Sequence, residues 1–243
     1  MVIAHMEKLT HKHVLVVGAT GGIGAATARL LGQSGATVYI AGRDRSKLQD
    51  LATELGLPET RSFLIDMADP ASIEAMSASI HQQIPQLDIL VNAAGIGIIK
   101  PLEQLSLDEF RYSIQVNLEG SFLLVRSFLP AMKASGKGLI INMPGVLGKV
   151  PMAGAAAYSA SKYGLVGMMQ SIREELKRTE VRITNIFMGG VDSPFWDSIH
   201  LRVQKDKMIR SDEAARAVWF LCQQPASAVV SEMVLQPFNH QAI

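Results

Sequence analysis

The chain has 243 residues, 48% of them hydrophobic, which is enough for one large core, and it reads as a single domain over residues 1–243. Its 23 Lys and Arg against 22 Asp and Glu leave a formal charge of +1, too weak a field to gather nucleic acid or an anionic membrane, so a small-molecule substrate is the expected partner. The opening MVIAHMEKL lacks the pattern of a signal peptide, no run reaches the ~18 apolar residues a span needs, and the single Cys222 excludes an internal disulfide; a cytoplasmic protein with a packed, inert thiol is expected.

Taken in chain order, short apolar runs alternate with amphipathic segments. The first run, 14–17, enters GATGGIG, with glycines at 18, 22 and 24, and then a helix over 22–34. Alone, three glycines are as often a plain tight turn. Between a first strand and its helix, they let backbone N–H groups approach a pyrophosphate at a helix N-terminus. No GK[ST] follows, which disfavours a nucleoside triphosphatase loop.

The second run, 37–41, ends in Gly42-Arg43-Asp44 where an acid would bond a ribose 2′-hydroxyl. Arg43 can instead grip a 2′-phosphate, which points to NADP (NADPH) rather than NAD; its other reading is a solvated loop charge. Further runs at 62–65, 88–92, 138–142, 182–187 and 233–236 alternate with helical segments at 46–55, 70–83, 106–134, 158–178 and 211–223. Strands apolar on both faces and regular βαβ alternation predict an α/β, Rossmann-like doubly wound parallel sheet of about seven strands with helices on both faces.

Tyr158 and Lys162 lie one turn apart on one helical face. A cation ~4 Å from a phenol, worth ~4 kcal/mol at an effective dielectric of ~20, is expected to bring its acidity towards working pH, as a general acid or base needs. Residues 191–210 show no clean helical period; with Phe195 and Trp196 they suggest a flap with an apolar, substrate-facing side, or else an ordinary surface loop. His11 and His13 have no acidic or Cys partner nearby, so no metal site is expected and the segment reads as solvated and frayed. Met168 and Met169 read as packing.

The glycine loop, VNAAG at 91–95, Asn117 in VNLEGSF and YSASK at 158–162 together resemble the short-chain dehydrogenase/reductase family over residues 12 to 236. The resemblance implies that Gly18, Thr20, Gly21, Gly22, Ile23 and Gly24 hold a cofactor diphosphate. Asp66 and Met67 would bracket the adenine, although Asp66 also suits a helix cap. Asn92, Ala93 and Gly95 would support the strand beside the cofactor, and Gly189, Val191 and Ser193 would approach the nicotinamide. The resemblance makes Tyr158 the catalytic acid, Lys162 its tuner and ribose anchor, and Asn117 the holder of a water feeding Lys162.

One departure concerns catalysis. Thirteen residues before Tyr158, where the family places a Ser that hydrogen-bonds the substrate oxygen, stands Gly145 after Pro144. Loss of one such donor costs ~10²- to ~10³-fold in rate. Met188-Gly189 and LQPFNHQ (235–241) also differ from the family pattern. The implied function is an NADP(H)-dependent oxidoreductase interconverting a carbonyl and an alcohol on a small, partly apolar substrate, with impaired activity, as a homodimer or homotetramer. Two rivals stay open: a non-catalytic NADP(H)-binding sensor or partner subunit, and an epimerase or dehydratase on the same scaffold.

Overall fold

The computed structural model describes residues 8–199 and 201–239. In chain order the elements are β1 (His13–Val17), α1 (Gly22–Gln33), β2 (Thr37–Gly42), α2 (Arg45–Glu54), β3 (Ser62–Leu64), α3 (Pro70–Gln83), β4 (Ile89–Asn92) and α4 (Leu107–Ile114). After a π-helical turn, Gln115–Glu119, come α5 (Gly120–Ser135), β5 (Lys137–Asn142), α6 (Ala156–Glu175), β6 (Glu180–Met188), β7 (Val191–Asp192), β8 (Ile209–Arg210), α7 (Ser211–Cys222) and β9 (Glu232–Leu235). Seven strands form one parallel sheet in the order β3-β2-β1-β4-β5-β6-β9, and β7 pairs separately with β8.

The two-faced apolar pattern of the strands is explained by two core layers. In β1, Leu15 and Val17 join the layer under α3, α5 and α6, which includes Ile73, Phe128 and Met169. Val14 and Val16 point the other way, into the layer under α1, α2 and α7 with Leu31, Leu51 and Val218. Met168 packs against the first layer beside buried Met169, as expected. Cys222 is buried in the second, and burial pushes its thiol up to about 12, so it stays protonated and inert.

Local chemistry sets the ends of the elements. Asp44 caps α2 by accepting from Lys47 N at 3.1 Å, Asp69 caps α3, and Ser106 with Glu109 forms a capping box at α4. Gly136, left-handed at φ 77°, ends α5.

Two expectations are corrected. The helix over 106–134 is two helices joined by a π turn. The segment around His13 is not frayed: His13 opens β1, its N–H donates to Asp88 Oδ2 at 2.9 Å and its ring tilts onto Tyr39, with centroids 6.0 Å apart. Residues 191–210 contain the short β7 and β8 pair and two 3-10 turns. Residues 240–241 of the divergent C-terminal stretch lie outside the described residues. No described helix is long and apolar enough to cross a membrane.

Candidate active site

Strand order reverses between β1 and β4, so the chain leaves these neighbouring strands in opposite directions and opens a crevice at their C-terminal ends. A cleft of about 1000 Å³ lies there. The turn after β1 forms its floor. Gly18 has φ +83°, and a Cβ on it would lie 2.7 Å from the backbone of Ala93. A Cβ on Gly24 would lie 2.2 Å from Gly18 O, so the close stacking of α1 on the loop requires glycine. Thr20, Gly21, Gly22 and Ile23 line the same end of the cleft. Gly21 caps α1 without a side chain and no acid sits in the first turn, which leaves the first N–H groups of a twelve-residue helix facing the cleft. This cradle, which any Cβ would fill, fits a dinucleotide diphosphate.

The end of β2 needs Gly42 for a reason hidden in the sequence: a Cβ there would lie 2.6 Å from Cγ2 of Thr20. The next two residues divide their work. Asp44 spends its carboxylate on the α2 cap and on Lys47, 3.6 Å away. Arg43 is exposed at the cleft and makes no ion pair among the described residues. Asp66, exposed at the cleft, accepts from Ala68 N at 2.9 Å in a local turn; the α3 cap is Asp69 instead. Met67 is buried beside Gly120, where a Cβ would meet Met67 O at 2.3 Å.

Buried Asn92 donates from Nδ2 to Ser121 Oγ at 2.9 Å and accepts from Ala94 N at 3.3 Å, which shapes the Ala93–Gly95 edge of the cleft. The π turn carries Asn117 inward. Its Oδ1 accepts from Ile96 N at 2.9 Å, and its Nδ2 donates to Ile96 O at 3.0 Å and Ser161 Oγ at 2.9 Å. A Cβ on Gly95 would lie 3.0 Å from Lys162 Nζ and 3.1 Å from Asn117 Oδ1, so both groups converge on this glycine.

Tyr158 and Lys162 project from the first turns of α6 into the cleft, with Nζ 5.6 Å from the Tyr158 ring centroid. Lys162 is 3% exposed and donates to Met143 O at 3.3 Å. The expected lowering of the phenol by this cation is not found: burial pushes Tyr158 well above its ordinary 10 and brings Lys162 from 10.5 down to about 8. Both groups lose water, and desolvation favours the neutral form of each.

Gly145 has φ 70° and ψ 170°, a backbone region nearly closed to other residues. A Cβ there would meet nothing closer than Met188 O at 3.5 Å and the Tyr158 hydroxyl at 3.6 Å. The position faces the phenol with room for a side chain, yet the backbone has adopted a conformation that only glycine holds without strain. Gly189, Val191 and Ser193 line the cleft opposite, and a Cβ on Gly22 would lie 2.7 Å from Cβ of Ser193, bringing the phosphate turn and the 191–210 segment into contact. Phe195 packs 5.8 Å from the Tyr158 ring, centroid to centroid, and 5.3 Å from Trp196 edge-on.

Every candidate cofactor and substrate residue except Asn92 thus lines the cleft, with Tyr158 and Lys162; Asn92 and Asn117 stand behind it. Sequence reasoning missed Gly97, Ile99, Val150, Pro151 and Met152, which wall its far end. The signals were the apolar runs IGII after the VNAAG motif and VPM before α6, which carry no periodicity to mark a wall. Among the described residues no cluster of three or more His, Cys, Asp or Glu could hold a metal.

Comparison with known proteins finds likeness in sequence and in fold. The family model described as short chain dehydrogenase matches residues 12–203. An uncharacterized oxidoreductase of Staphylococcus epidermidis is 30% identical over 232 residues, 96% of this chain and 100% of that one. A metagenomic short-chain oxidoreductase, solved in complex with NADP, superposes with a TM-score of 0.83 at 35% identity, covering 95% of this chain and 99% of that one. An alcohol dehydrogenase from the archaeon Thermococcus sibiricus, complexed with 5-hydroxy-NADP, gives 0.85 at 27% identity over 96% and 99%.

Proposed function

The chain belongs to the short-chain dehydrogenase/reductase family, and we propose that it is an NADP(H)-dependent member that reduces a carbonyl to an alcohol on a small, partly apolar molecule, slowed by glycine at position 145. The observation that carries this reading is that Tyr158 and Lys162 share a cleft with a side-chain-free helix N-terminus. Gly18, Gly22 and Gly24 would cradle the diphosphate, Asp66 and Met67 would hold the adenine, and Gly189, Val191 and Ser193 would hold the nicotinamide. Arg43, unpaired among the described residues while the neighbouring Asp44 is engaged by Lys47, would take the 2′-phosphate.

Bound there, the nicotinamide supplies the hydride to the carbonyl carbon. The chain supplies the proton. The Tyr158 phenol is protonated at neutral pH and burial pushes its value higher still, so it donates to the oxygen as negative charge develops. Lys162, titrating at about 8, is charged at pH 7; its ammonium stabilises the phenolate left behind and anchors the ribose. Asn117 keeps the Gly95–Ile96 turn in place and, through the remaining acceptor capacity of Oδ1, holds the water that returns a proton to Lys162.

Gly145 supplies no hydroxyl, so one oxyanion donor is missing and turnover is ~10²- to ~10³-fold below what a serine would support. Residues 191–210 act as the substrate flap. Leu107, Phe110, Tyr112 and Phe122, exposed on α4 and α5, support pairing of those helices in a homodimer or homotetramer.

The test is titration with NADPH and NADH, followed by carbonyl-dependent NADPH oxidation. Native protein should bind NADPH more tightly and turn over slowly. Arg43→Ala should weaken NADPH ~10- to ~100-fold and leave NADH within ~3-fold. Binding without turnover of any carbonyl would defeat the reductase reading; equal affinity for both cofactors would defeat the NADP preference.

A further inference from the structure

We infer that Phe195 and Gly97 form a width gate in front of Tyr158, and that the gate and the walls beyond it select an uncharged carbonyl compound that is slim beside the carbonyl. The inference rests on the reductase reading and assigns its substrate class. Phe195 sits on the 3-10 turn Pro194–Ser198, on one side of the cleft. Gly97 lies on the loop after β4, on the other. A Cβ on Gly97 would lie 2.4 Å from Cζ and 3.0 Å from Cε2 of Phe195, and 2.8 Å from Cδ1 of Ile199. The ring therefore spans the cleft and rests on bare backbone; any side chain at 97 would displace it.

The ring is held there from behind. Trp196 meets it edge-on, and the indole Nε1 donates to Val191 O at 2.9 Å, tying the turn to β7. With its centroid 5.8 Å from that of Tyr158, Phe195 limits the width available to whatever group flanks the reacting oxygen.

The walls decide charge. Ile99, Val150, Pro151 and Met152 offer no ionic or strongly polar side chain. The charges nearest in sequence are already engaged: Lys100 with Glu109 and Lys149 with Glu232, each at 2.5 Å, and Asp197, itself on the cleft lining, with Lys205 at 3.1 Å. A substrate carboxylate or phosphate lying against these walls would leave water with no free counter-charge beside it, which is heavily penalised.

The experiment uses methyl ketones of rising branching at the neighbouring carbon, with one carboxylate-bearing ketone of slim shape. Affinity for the NADPH complex is read by quenching of bound NADPH fluorescence, and turnover by NADPH oxidation, for native protein, Phe195→Ala, Phe195→Leu and Gly97→Ala. Native protein should bind the most branched ketone at least ~10-fold more weakly than the slimmest, a discrimination of the size that one or two methylene groups produce. Phe195→Ala should reduce that ratio to ~3-fold or less, Phe195→Leu should fall between, and Gly97→Ala should alter the ranking by moving the ring.

An unchanged ranking in Phe195→Ala overturns the gate, and binding of the carboxylate as tight as its neutral analogue overturns the substrate class. Ranking by bulk with no NADPH oxidation by any protein would leave the gate standing and remove the reductase reading. Turnover without ranking by bulk does the reverse.

Discussion

In the proposed reaction Tyr158 and Lys162 carry the chemistry, and their burial makes opposite demands on stability and activity. Tyr158→Phe should lower turnover by ~10²- to ~10⁴-fold, measured under saturating NADPH, while leaving NADPH affinity nearly unchanged, because only the proton donor is lost. The folded-state value of Lys162, about 8, lies below its ordinary 10.5, so between these values the unfolded chain binds the extra proton. Stability of the ligand-free protein therefore gains from this site as pH rises from 8 to 10.5, and below 8 the buried charge costs up to ~3 kcal/mol. Lys162→Met should be the more stable protein at pH 7 in urea denaturation, without turnover, and the difference should shrink above pH 8; reduction by native protein should decline across the same range as the ammonium is lost. Gly145 follows a different rule. With φ 70°, Gly145→Ser should cost ~1 to ~3 kcal/mol in backbone strain, and since a Cβ there lies 3.6 Å from the Tyr158 hydroxyl, its hydroxyl should recover part of the ~10²- to ~10³-fold deficit at that cost in stability. Full recovery with unchanged stability would show that the backbone at 145 relaxes freely.

At the scale of elements, the site is built from ends and interruptions. The glycine turn was legible because strand, glycines and helix must follow one another in the chain for the N–H groups to point at a phosphate. Gly24→Ala tests the required closeness: its Cβ would fall 2.2 Å from Gly18 O, the turn must open, and NADPH affinity should drop at least ~10-fold in a fluorescence titration. The π turn was not legible. Its residues, QVNLE, continue the helical pattern of 106–134, and the widening that aims Asn117 at Ile96 depends on the β4 loop, fixed far away in sequence. The 191–210 segment was legible only as a departure from periodicity. Its apolar face appears once Phe195 meets Gly97 and Tyr158 across the cleft.

At the scale of the molecule, cofactor binding and folding are linked, because a cleft at the seam of the sheet exists only in the folded chain. NADPH at ~100 times its dissociation constant should add about 2.7 kcal/mol to unfolding free energy, read as a rise in melting temperature that Arg43→Ala reduces. Sedimentation should give a dimer or tetramer at micromolar concentration; a monomer would remove that part of the proposal. The amino-acid sequence by itself determined the layered α/β architecture, the glycine turn and the placing of Tyr158 and Lys162 on one helical face, because each depends on spacing within one strand, one turn or one helix. Only the tertiary structure decided that Asp44 is spent on a cap, that Gly42 yields to Thr20, that the phenol is raised rather than lowered, and that Phe195 faces the acid. Each of these depends on which atoms exclude water from, or touch, residues far off in the chain, and burial and long-range contact leave no periodic trace in a sequence.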